Sequence, residues 1–451
     1  MRGTTEAGSQ SEAYNLDSKT ILEIRGLKKH FDIGGGFLDK FLGQKGKVRA
    51  VDDVDLDVYE GEILAVVGES GCGKSTLGKT ILNLVSPTDG TVRFRDEDIA
   101  GIGEKKMRPY RRQMQMIFQD PGGSLNPRKT VGTILTTPLK VHGIGDNSEE
   151  RERLAKQMLE DVGLSASHFN RYPKQFSGGQ QQRIGLARAL ILEPDLIVAD
   201  EPVSKLDVSV QAQILNRLSN LQREYNLSMI FIAHNLSVVR HIADRVAVMY
   251  LGKVVEVAPV EELFENPQHP YTRSLLSAVP RIDPDDGGDR ILLEGTVPSP
   301  IDPPDGCRFH TRCPEVIPPN SWHGDQESFK SVFTYRVLLE NETVEIQPIR
   351  DRLEADDKDS DDDAVVSYLL ERTFTGDVNE FPDDIVETLM TATTKYVVDD
   401  RDEAFELLQD AFPSPCVDSE PSSMSTVDGH IAACHRNDPD APGLEQTPRT
   451  M

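Results

Sequence analysis

The chain has 451 residues and a formal net charge of -26, room for one large α/β domain and one or two smaller units at about 150 residues each. That acidity argues against general nucleic-acid binding, which needs basic surface, and suits a protein kept soluble in a high-salt cytoplasm. No run approaches the roughly 18 apolar residues of a membrane span, Met1 to Lys19 lacks the apolar core of a secretory signal, and five cysteines in so long a chain do not resemble a secreted disulfide scaffold. The chain therefore reads as intracellular, meeting a membrane only through partners.

Residues 1 to 19 are polar, and disorder is expected there. Ile21 to Phe31 and Val48 to Val58 alternate like strands on either side of Gly34 to Gly36. Phe31, ahead of the next motif, is a candidate to stack on adenine; periodicity alone allows a core phenylalanine equally well.

The apolar run Ile63 to Val67 leads into Gly68-Glu-Ser70-Gly71-Cys-Gly73-Lys74-Ser75-Thr76 and then into the helix-forming Leu77 to Leu84. This is the strand, loop and helix context of a phosphate-binding P-loop. Glycines let successive N–H groups point inward at the positive end of the helix. Lys74 supplies a cation for the β- and γ-phosphates, and the Ser75 hydroxyl a ligand for Mg²⁺.

Thr91 to Arg95 and Met114 to Phe118 read as strands, the second ending at Gln119, within reach of Mg²⁺ or its water. A breaker-rich loop, Asp120 to Arg128, precedes helical patterns at 131 to 142 and 149 to 162. Phe176-Ser177-Gly178-Gly179-Gln180 opens a helix to Leu192 with Ser177 as its N-cap. It forms a second anion site, and two such sites on one chain suit a nucleotide held between two copies. Leu196 to Ala199 is a buried strand ending in Asp200 and Glu201, which suit Mg²⁺ holding and general-base duty. Asp207 follows, and the strand Leu227 to Ala233 ends at His234, placed for a γ-phosphate.

In this order the motifs resemble those of the ATP-binding-cassette (ABC) transporter ATPases, over about residues 20 to 280. Met116 to Arg128, Asp207 to Gln213, and Asn266 to Arg273 with Leu275 to Pro280 look like the oligopeptide/dipeptide importer group. The resemblance implies an α/β fold: a RecA-like core with an antiparallel β subdomain and a helical subdomain carrying the signature. It implies ATP hydrolysis energising import of peptides, or of nickel or oligosaccharides. Lys74, Ser75, Gln119, Asp200, Glu201 and His234 of one chain would meet Ser177, Gly178 and Gly179 of a second ATPase, the same chain or a paralogue. Two transmembrane permeases and, through them, an extracellular substrate-binding protein are the further partners, with the chain peripheral on the cytoplasmic face of the cell membrane. Two departures from the pattern are Phe176 for the usual Leu and Lys205 for a small Ala, the latter near the dimer seam.

Beyond residue 285 the composition changes. The cassette is expected over 20 to 265 and an importer-type extension over 266 to 313. Cys307 and Cys313 in Gly306 to Pro314 resemble the group's cysteine motif, with Cys416 and Cys434 as its second half in 416 to 451. Four thiolates suit a [4Fe-4S] cluster or zinc, and free cysteines are the plain alternative; spacing does not choose. Cys72 belongs to the P-loop. Between the halves, residues 314 to 415 hold 26 Asp+Glu and 8 Lys+Arg, a net -18 of the total -26. An acidic α+β insert is expected there: a hairpin over Val332 to Ile349, a linker over Asp356 to Asp363, and helices over Ala364 to Phe374, Pro382 to Tyr396 and Asp402 to Phe412.

Overall fold

The computed structural model describes residues 19–33, 46–204, 206–279, 290–293, 295–374, 381–427 and 429–438. The expected disorder before Lys19, Gly34 to Gly36, Lys205, Pro280 and the tail from 439 lie outside them.

The P-loop strand β3 (Ile63–Val67) is buried throughout. Its alternating side chains feed two cores: Ile63, Ala65 and Val67 belong to the first, which reaches into the helices that follow, and Leu64 and Val66 to the second, shared with the antiparallel sheet. That second sheet has the order β2-β1-β4-β5, with β1 (Thr20–Ile33), β2 (Gly46–Tyr59), β4 (Asp89–Phe94) and β5 (Glu97–Asp98). The main sheet has eight strands in the order β11-β12-β10-β9-β3-β8-β7-β6. β6 (Met114–Ile117), β7 (Leu196–Asp200), β8 (Ser228–Ile232), β3 and β9 (Arg245–Tyr250) run parallel. β10 (Lys253–Pro259), β12 (His430–Ala433) and β11 (Ser423–Val427) continue it antiparallel. The carboxyl ends of the parallel strands therefore bring Val67, Gln119, Asp200 and Ala233 to one edge.

Helix α1 (Lys74–Ile81) follows the P-loop. α2 (Val131–His142) is capped by Thr130 and stopped by Gly143 at φ 70, and α3 (Ser148–Asp161) is capped by Asn147. With α4 (Gly178–Leu190) they share the first core. α5 (Val208–Tyr225) and α6 (Leu236–Ile242) flank the main sheet, and α7 (Val260–Glu265) and α8 (Pro270–Ser277) lead out of it.

Among the described residues the acidic segment is helical and has a core of its own, made by α9 (Gln326–Glu340), α10 (Ile346–Ala355), α11 (Asp362–Thr373), α12 (Asp383–Val397) and α13 (Arg401–Ala411). The last three helices and the turn before Asp362 fall where expected. The hairpin over Val332 to Ile349 does not form, because that stretch is the end of α9 and the start of α10. Buried Phe329, Val332, Phe333, Arg336 and Leu339 recur every three to four residues, and Asp325 caps the helix by accepting from the Ser328 N–H. The β-branched and aromatic residues there imitate a strand only when read without the cap. The strands of the extension are β11 and β12, which come later.

Candidate active site

A chain turning from β3 into α1 in so few residues needs conformations closed to side chains. Gly68 stands at φ 149 and Gly73 at φ 107. A Cβ on either would run into a backbone carbonyl oxygen, that of Met249 or Ala50. Gly71 has open space around it at φ 83, while Ser70 is exposed and Thr76 half-buried on the rim. Lys74 is buried, its ammonium donating to the carbonyls of Gly68 (2.8 Å) and Glu69 (2.9 Å). The loop is thus folded around the cation it presents.

Ser75 Oγ donates to Asp200 Oδ1 at 2.7 Å across 125 residues of sequence. Burial pushes the Asp200 carboxyl up and the Ser75 hydroxyl works against it. A hydroxyl and a carboxylate at the mouth of a phosphate loop are hard oxygen donors of the kind Mg²⁺ takes. Next to them, Gln119 Nε2 donates to Glu201 Oε2 at 2.8 Å, and His234 Nδ1 lies 3.4 Å from the same oxygen. Glu201 holds φ 45, with its N–H on the Ile232 carbonyl at 3.0 Å. A non-glycine residue in that region is the strain found at functional positions. Lys74, Ser75, Gln119, Asp200, Glu201 and His234 form one face.

The remaining expected residues stand elsewhere. Ser177 and Gln180 close a capping box on α4, and a Cβ on Gly179 would meet Val210 of α5. Ser177, Gly178, Gly179 and Gln180 thus sit beside exposed Asp207, at the N-cap position of α5. Among the described residues no hydrogen bond joins them to the P-loop. Phe176 is buried and packs edge-on against His168, filling the Leu position with a larger side chain. Phe31 is exposed on β1, with the Lys29 ammonium 4.8 Å from its ring centre.

Three features escaped the sequence. Gln211 donates to the carbonyls of Val203 and Leu206, both at 2.9 Å, and so holds the loop after Glu201. Glu69 inside the P-loop pairs with Arg312, and Asp52 on β2 pairs with His30 and Arg308. Charge signs were visible, but a separation of 243 residues carries no periodicity. A cavity of about 560 Å³ is lined by Asp57, Arg245, Lys253 and Arg308 among others and by none of the P-loop residues; phosphate-binding geometry, not volume, marks the active site.

The structure also gathers the four cysteines. Cys307, Cys313, Cys416 and Cys434 line one cavity of about 10 Å³ with His269 and His435. Burial pushes all four thiols up, Cys434 to about 12. The donor set fits a cluster in kind. It does not fit in arrangement: the cavity has room for about one water, and among the described residues no three His, Cys, Asp or Glu side chains are grouped to hold a metal ion.

Three family models match: ABC transporter over residues 51–204, oligopeptide/dipeptide transporter C-terminal region over 255–318, and a domain of unknown function over 326–429. The last falls on the acidic helical segment. The oligopeptide transport ATP-binding protein AppF of Bacillus subtilis is 51% identical over 305 residues, 67% of this chain and 92% of the relative. Its counterpart OppF of Escherichia coli is 55% identical over 304 residues, covering 66% and 90%. A solved dimeric ATP-binding cassette in a post-hydrolysis state with ADP and Pi is 28% identical, covers 53% of this chain and 98% of its own, and has a TM-score of 0.48. At half identity over nine-tenths of such relatives, the chain belongs to the ABC transporter ATPases, in their oligopeptide/dipeptide transport group.

Proposed function

We propose that this ATPase binds Mg²⁺-ATP on the Lys74 face and hydrolyses it when a second ATPase chain closes on it head to tail, driving import of oligopeptides or dipeptides. Two transmembrane permease subunits form the path, and an extracellular binding protein delivers the substrate. The names of the relatives support the substrate class. In this reading the cassette is 20 to 265, and the chain sits at the cytoplasmic face as a peripheral subunit. No described helix is long and apolar enough to cross a membrane.

Glu201 carries the reading. It stands at the sheet edge with an amide and an imidazole on one carboxylate oxygen, placed to accept a proton from an attacking water. Lys74 and the loop N–H groups hold the β- and γ-phosphates, His234 contacts the γ-phosphate, and Gln119 orients Glu201 and the water. Ser75 and Asp200 would hold Mg²⁺, which would offset the charge of the phosphates. Phe31 stacks on adenine, and Ser177, Gly178, Gly179 and Gln180, with Asp207 beside them, close the partner's nucleotide. Closing on ATP and reopening after hydrolysis moves the permease between its two states.

Glu201→Gln tests this. ATPase activity in reconstituted membranes should fall by at least about 100-fold, the lower range for a lost general base, while ATP-bound dimers accumulate on a sizing column. Unchanged turnover removes Glu201 from its role. A [4Fe-4S] cluster on Cys307, Cys313, Cys416 and Cys434 would require their pocket to widen. Iron and acid-labile sulfide in protein purified without oxygen decide it.

A further inference from the structure

A phosphate loop works through inward N–H groups, a helix N-terminus and a lysine, all positive. A carboxylate among them opposes the anion. Glu69 is such a carboxylate, second in the loop. Its N–H donates to the Tyr271 hydroxyl at 2.9 Å and its carbonyl accepts from Lys74 at 2.9 Å, so the residue is fixed in place.

Both Glu69 carboxylate oxygens accept from Arg312, at 2.8 and 3.2 Å. The Arg312 side chain is 8% exposed and comes from the turn between Cys307 and Cys313. That turn is held by contacts other than the Glu69 carboxylate. Phe309 packs on Tyr250 and Tyr271 with ring centres 5.3 Å apart in each case, and Arg308 pairs with Asp52 and the Leu251 carbonyl. A two-pronged guanidinium on a braced turn is already oriented for its carboxylate.

We propose that Arg312 is a positioning residue for ATP binding: it neutralises and holds the Glu69 carboxylate, so that the phosphate loop accepts a polyanion. The proposal rests on the ATP reading above. Removing the guanidinium leaves a carboxylate within a Debye length of the triphosphate, where repulsion is weakly screened. The loss falls on binding alone, so KM for ATP rises while kcat at saturating ATP holds.

The test is a titration of the full chain with a fluorescent N-methylanthraniloyl ATP and Mg²⁺, paired with steady-state ATPase kinetics. Arg312→Gln should weaken nucleotide binding by about ten-fold, the effect of one modest charge contact. Glu69→Gln should bind at least as tightly as the unsubstituted chain, and Arg312→Gln with Glu69→Gln together should return to within about two-fold of it, a coupling that independent sites do not show. Unchanged binding in Arg312→Gln, or a double variant as weak as that single one, overturns the proposal, the latter because Arg312 then only braces the fold. Should Arg312→Gln fail to fold, Glu69→Gln decides alone: weakened binding overturns the proposal. No binding by the unsubstituted chain sinks the nucleotide site itself, and this proposal with it.

Discussion

Gly73 shows what a single residue decides at this site. Its φ of 107 and the Ala50 carbonyl facing its Cα leave no place for a side chain. Gly73→Ala is expected to abolish measurable ATP binding, and a variant that still bound ATP normally would show that the loop tolerates the shift. Residues such as Gly73, Lys74, Ser75, Asp200 and Glu201 were legible in the sequence because the chemistry demands fixed types at fixed spacing next to a strand or helix end. Glu69 with Arg312, and Asp52 with Arg308, were not, since these pairs form only after the extension folds back on the cassette. Glu201 was legible as a carboxylate, but its left-handed backbone was not; that goes with the hydrogen bond its N–H donates to the Ile232 carbonyl on the neighbouring strand.

At the scale of elements, the seam between β10 and β12 joins cassette to extension. There His430 Nε2 lies 2.7 Å from Glu256 Oε1, both side chains fully buried, and the Gln268 and His269 N–H groups donate to the same carboxylate. Burial works against the Glu256 charge, but its bonds outweigh it and hold the carboxyl below its ordinary 4.5. A carboxylate whose pKa is lowered by folding adds stability that is present above pH 4.5 and lost as pH falls below it. Glu256→Gln should lower stability at neutral pH by about 3 kcal/mol, the cost of leaving one partner of a buried pair, and flatten the decline below pH 4.5. Hydrogen exchange across Ser423–Val427 and His430–Ala433 reports this directly; protection unchanged by the substitution would show that the pair does not hold the hairpin. The same scale separates what periodicity predicts from what it misses. α11 to α13 were readable because apolar residues recur at helical spacing, whereas Val332 to Ile349 invited a hairpin until the Asp325 cap was taken into account. β11 and β12 are short, and the pairing of β12 with β10 joins residues more than 170 positions apart.

For the molecule as a whole, charge and packing divide unevenly. The helical segment has a core distinct from the two of the cassette, and residues 314 to 415 carry -18 of the net -26. Self-repulsion of that density is screened within about 3 Å in 1 M salt against about 10 Å in 0.1 M. Calorimetry should therefore resolve a transition for the segment that moves up in temperature between those salt concentrations, while the cassette transition shifts less and responds instead to Mg²⁺-ATP. A single transition equally sensitive to both would mean that the two cores unfold as one. The segment enters and leaves the fold at one place: the Cys307 N–H donates to the Cys416 carbonyl at 2.9 Å, and Gly306, at φ 60, packs against the carbonyls of Cys416 and Val417.

That meeting of ends sets an order of events during synthesis. When the cassette through Pro259 has left the ribosome, its P-loop still bears an uncompensated Glu69, and β10 has an open edge where β12 will pair. Arg312 arrives next and completes the charge of the phosphate loop. Only after the acidic helices have been made do Cys416 and Cys434 join Cys307 and Cys313, while β12 covers the edge. The nucleotide site is therefore expected to mature before the thiol pocket, and a chain truncated within the helical segment is expected to retain the first while lacking the second.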